Sequence, residues 1–210
     1  MHIHTLVLRG NFNPTIFQPV WFSNEGLLQK TEVEDVTIDV VHPDIVSFSL
    51  PWLNVKITRE TFTVETYQVP YFEVIRDLVL GTFTLLRYTP IKLMGINFSK
   101  HIEVGSDEEW HSAGHKLAPK ELWDDILVNP GMRTLSMEGA RDDELKGLVL
   151  VQIEPSRQIR PGIFILVNEH YEATTEEVSN AEDCMNVLKA RWPASYKKSE
   201  TIISSLMEKL

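Results

Sequence analysis

Two histidines four residues apart, His111 and His115, sit in the run Glu108-Glu-Trp-His-Ser-Ala-Gly-His115. On a helix that spacing puts both imidazoles on one face, and Glu108, three residues before His111, joins them. Two histidines and a carboxylate are the ligand set of several hydrolytic zinc sites. The run lacks the glutamate after the first histidine that makes HExxH a metalloprotease motif. Gly114 also weakens the helix that would hold the pair. The plainer reading is a polar helix face with two unrelated histidines. A second candidate is His101, which shares the polar face of an alternating run with Asn97 and Glu103. A carboxylate two residues away along a strand points the same way, and would orient a histidine base and raise its pKa. The plainer reading there is a solvated sheet face. Arg157 and Arg160 are forked donors suited to a carboxylate or phosphate. Asn97, His101, Arg157 and Arg160 thus form the candidate binding set. No serine or cysteine occupies a nucleophile elbow, and Cys184 falls on a helix that should pack it. Neither GxGxxG nor a P-loop is present, so no cofactor is expected.

The elements that must position these residues are organised around Pro90–Gly105. Met94, Ile96, Phe98, Ile102 and Val104 alternate there with Gly95, Asn97, Ser99, His101 and Glu103. Period-two patterning means a strand with one buried and one polar face. Before it, Ile3–Arg9 reads as a strand and about Pro19–Leu28 as a short helix opened by Pro19. Val36–Val40, Ile45–Leu50, Leu53–Ile57 and a strand containing Phe62 and Val64 read as an antiparallel meander. Phe72, Ile75, Val79, Phe83 and Leu86 recur at helical spacing after Val69-Pro70, with Gly81 marking a close contact to the sheet. After the central strand, Ser106 and Glu109 suggest a capping box for a helix to about His115. Ala118-Pro119 opens another helix, ending near Leu127. Arg133–Glu138, Leu148–Glu154 and Ile163–Val167 read as strands. Ser179 and Glu182 form a second capping box, for a helix that Pro193 must kink or break. The five tryptophans read mostly as core anchors.

The order strand, helix, strands, helix therefore occurs twice, over about residues 1–88 and 90–210 of a single domain. Gly10-Asn-Phe-Asn13 is faintly echoed by Gly95-Ile-Asn-Phe-Ser99. The expected class is α+β, with a curved, mostly antiparallel sheet built from two strand–helix–meander–helix halves and helices on one side. This topology resembles the TATA-binding-protein-like architecture, which implies an open face opposite the helices.

The pieces Gly10-Asn-Phe-Asn-Pro-Thr-Ile-Phe17, Pro19-Val-Trp-Phe22, Phe72–Leu86, Met94-Gly-Ile-Asn97, Glu108–His115, Pro130-Gly-Met-Arg133 and Val167-Asn-Glu-His-Tyr-Glu172 cover most of the chain. They look like a sporadically distributed bacterial family of unknown role. The resemblance implies a bacterial protein and no particular activity.

Composition narrows the function classes. A formal net charge of −10 opposes binding to a phosphate backbone or an anionic membrane surface, so neither partner is expected. One cysteine cannot form an internal disulfide, and the chain carries neither a signal-peptide core nor a bilayer-length apolar run, which points to the cytoplasm. The leading expectation is a non-enzymatic adaptor that binds a protein partner through an open sheet face or an acidic surface. The alternatives are a metal-dependent or histidine-assisted hydrolase and a small-molecule or nucleotide sensor using the curved sheet.

Overall fold

The computed structural model describes residues 1–172 and 180–210. The first strand, β1 (His2–Gly10), turns His4, Leu6 and Leu8 inward. Two short helices follow, α1 (Pro19–Asn24) and α2 (Lys30–Glu34). The helix expected to run to Leu28 stops early because Gly26 adopts a left-handed φ of 72° just beyond it. The meander is β2 (Thr37–His42), β3 (Ile45–Leu50), β4 (Leu53–Thr58) and β5 (Thr61–Thr66), and α3 (Phe72–Leu85) closes the half. The second half runs β6 (Ile91–Glu103), α4 (Asp107–Leu117), β7 (Leu135–Ala140), β8 (Gly147–Pro155), β9 (Gly162–Glu172) and α5 (Ala181–Met207).

The nine strands of the described residues form one antiparallel, unclosed sheet in the order β2-β3-β4-β5-β1-β6-β9-β8-β7. The α+β class is as expected. β1 and β6, the opening strands of the two halves, pair at the centre, Leu6 opposite Ile96 and His4 opposite Phe98. Outward from them, β9 and β8 occupy the places that β5 and β4 occupy on the other side.

The sheet has one helix-covered face. Phe17 packs on Phe62, Phe22 on Phe48, and Phe72 and Tyr196 on Phe98. The strand partners in these contacts all lie on the face that the register aligns with Leu6 and Leu8. Met94, Ile96 and Phe98 are buried there, as their alternation predicts. Burying side chains of that size is worth about 1.5–3 kcal/mol each, which makes this face the main source of stability.

Several expectations are corrected. Ser99 and His101, expected on an open face, are both buried, and the β8–β9 connection reaches His101 through Ser156. Only one 3-10 turn, Lys120–Leu122, forms where a helix to Leu127 was expected. Leu122 and Ile126 would be its apolar stripe, but they are 73% and 68% exposed, so no buried face stabilises a helix there. Trp123 belongs to this segment and is likewise no core anchor. Gly81 approaches Leu27 rather than the sheet; a Cβ there would lie 2.5 Å from Leu27 Cδ2. Pro193 lies inside a continuous α5. The buried positions Met185, Leu188, Trp192, Ser195, Ser199 and Ile203 keep helical spacing through it, so packing on both sides carries the helix across the missing hydrogen bond. Ser179 lies outside the described residues, and the cap of α5 is Asn180, whose Oδ1 accepts from the Asp183 amide at 3.1 Å.

Candidate ligand-binding site

Helix α4 is started by Ser106, whose Oγ accepts from the Glu109 amide at 3.1 Å, with three acids in its first turn. Trp110 anchors it to the sheet: the indole Nε1 donates to the Gly162 carbonyl at 2.9 Å. Beyond that anchor the helix stands away from the strands. Between α4, the segment 117–132 and the ends of β8 and β9 lies a cavity of about 850 Å³. Ile153 and Ile163 form its apolar floor, Trp110 and Leu117 one wall, and Ile126 and Met132 the other. The corresponding space in the first half, over β3 to β5, is filled by Phe17 and Phe22. No aromatic of α4 plays that part, and Gly114 faces the gap: a Cβ there would meet nothing within 4 Å. The helix-weakening glycine noted in the sequence is thus a residue that leaves the cavity open.

The proposed metal ligands do not converge. Nε2 of His115 lies 3.0 Å from Glu121 Oε1, and His111 packs edge-on against Trp110 and lines the cavity. The Glu108 carboxyl, fully exposed, is held below the usual carboxylate range by its own backbone N–H and then by Ser106. Among the described residues no group of three or more His, Cys, Asp or Glu side chains is placed to hold a metal ion.

The strand set is partly assembled. Asn168 Nδ2 donates to Asn97 Oδ1, and Asn97 Nδ2 donates to the Thr5 carbonyl at 3.2 Å. His101 does not use Glu103. Its Nδ1 meets Ser156 Oγ at 2.9 Å, and its ring lies against Phe164. Ser156 Oγ also accepts the amides of Gln158 and Ile159, so it donates its proton to His101 and pins the loop to β6. The His101 pKa is lowered, by burial first and then by the N-terminal ammonium, contrary to the rise expected from Glu103. Arg157 and Arg160 are exposed on the pinned loop. Cys184 packs against Met94, and burial pushes its thiol up to about 12, which leaves it protonated and unreactive.

A buried polar network escaped the sequence reading. Glu169 is 2% exposed and accepts from Ser195 Oγ at 2.6 Å, Tyr171 Oη at 3.1 Å and Arg141 Nη2 at 3.2 Å. Arg141 also grips both oxygens of Asp143, at 2.9 and 2.7 Å, and lies over the Tyr171 ring. That grip holds the Asp143 carboxyl down to about 2, while burial and then Glu169 push Tyr171 up to about 12. The network ties the β7–β8 connection, β9 and α5 together. Its signal was legible: Ile163, Ile165, Val167 and Tyr171 alternate on the core face, which makes Glu169 a core position.

No family model matches the chain, and no curated protein matches it. Among solved structures, that of DynU16, from the dynemicin biosynthetic locus, aligns over 80% of this chain and 78% of its own at 15% identity, with a TM-score of 0.23. At that score the likeness carries neither fold nor function.

Proposed function

We propose that the protein is a non-enzymatic binding protein that holds a small molecule in the cavity beneath α4. The observation that carries this reading is the unequal filling of two similarly ordered halves. Phe17 and Phe22 complete the core of one, whereas the other keeps about 850 Å³ open above Ile153 and Ile163. That volume suits one drug-sized ligand, and apolar walls with a few polar rim groups are the usual makeup of such sites. A cytoplasmic setting fits the lone, packed thiol. A second reading, an adaptor that docks a protein partner, is favoured by the sheet face opposite the helices. The Thr5–Asn97–Asn168 row there is half-buried and covered by no helix of the described residues.

The first reading is tested by titrating purified protein with the neutral probe Nile red. It predicts saturable, blue-shifted emission at one probe per chain. An unsaturable signal equal to that of a protein without a cavity would contradict it.

A further inference from the structure

Resting on the reading of this cavity as a ligand site, we infer that its ligand is an amphipathic organic cation, an apolar body carrying an amine or quaternary ammonium group. Ile153, Ile163, Leu117, Ile126 and Met132 give floor and walls a largely apolar lining that would take the apolar body. The polar groups are placed unevenly. Asp124 and Asp125 line the cavity and are exposed, and neither forms an ion pair among the described residues. Lys120 is the sole lysine or arginine among the described lining residues. The Glu154 carboxylate points elsewhere, since its Oε1 accepts from Gln152 and Thr134. Trp110, held by its bond to Gly162, also lines the cavity, and indole is the aromatic group that attracts cations most strongly. The surrounding protein, at −10, adds to the attraction and disfavours an anionic head group.

The test uses Nile red as reporter and three displacers of one chain length: decylamine, decanol and decanoate. Decylamine should displace the probe at a concentration about fivefold below decanol, as one or two solvent-screened ion pairs allow, with decanoate weakest. In the doubly substituted Asp124→Asn, Asp125→Asn protein, with each displacement scaled to that protein's own Nile red affinity, the advantage of the amine over decanol should shrink to about twofold or less, the remainder coming from Trp110. Lys120→Gln should enlarge it. Equal displacement by all three compounds, or decanoate acting best, would overturn the cationic assignment while leaving the ligand site standing. An undiminished amine preference in the double variant would overturn the role given to the two aspartates. Absence of saturable Nile red binding would instead defeat the cavity reading itself.

Discussion

His4 lies on the core face of β1, 1% exposed, stacked on Phe72 at 3.9 Å and edge-on to Phe98, Trp192 and Tyr196. Neither ring nitrogen has a hydrogen-bond partner among the described residues. The residue acts as an aromatic plate and must be neutral to do so, and burial lowers its pKa to about 3. An unfolded histidine takes up its proton near pH 6.5, so between about pH 6.5 and 3 the unfolded chain binds the proton and the folded chain does not. Stability contributed by neutral His4 is therefore complete above about pH 6.5 and falls on acidification, by up to about 1.4 kcal/mol per pH unit within that window. His2 and His101 are shifted in the same direction and add to the slope. Denaturant titrations at pH 7.5 and 5.5 should show the loss, and His4→Phe should flatten it. Equal slopes in the two proteins would mean that His4 is not the main titrating group.

The elements divide into those whose partners are close in pattern and those whose partners are not. β6 was legible because one buried face writes itself as alternation, and the stripe of α3 because Phe72 to Phe83 repeats at helical spacing. The 119–127 segment was misread because Pro119, Leu122 and Ile126 fit a helix locally, while the burial that would stabilise one does not occur. The cavity was illegible for a related reason. It is a shortage of side chains between α4 and strands some 40 residues further on, and Gly114 is its single trace in the sequence. The burial of His101 depended on a loop whose course no local pattern specifies. At Pro193 local chemistry and tertiary packing conflict, and packing prevails. Because that residue is exposed, Pro193→Ala should restore a backbone hydrogen bond without opening a void. A gain of about 1–3 kcal/mol in a urea titration is expected. An unchanged or lower midpoint would show that the proline sets a bend on which the packing depends.

On the scale of the whole molecule, a nine-stranded sheet is joined at β1–β6, with its helices on one face and a filled and an unfilled half on either side. Among the described residues no helix is long and apolar enough to cross a membrane. The buried network around Glu169 secures the second half without filling the space under α4, since none of Arg141, Asp143, Glu169, Tyr171 and Ser195 lines that cavity. A half can thus be stable and still keep a hole, the combination a binding protein needs. Gly114 offers the most direct test of that claim, because a side chain there enters open space. Nile red affinity and melting temperature should be measured together for Gly114→Ala and Gly114→Phe. The alanine protein should bind as the parent does and be more stable by about 1 kcal/mol, from helix propensity alone. The phenylalanine protein should melt no lower than the parent and lose binding by about tenfold or more, because its ring occupies the ligand's volume. A folded Gly114→Phe protein that binds Nile red with parental affinity would contradict the account.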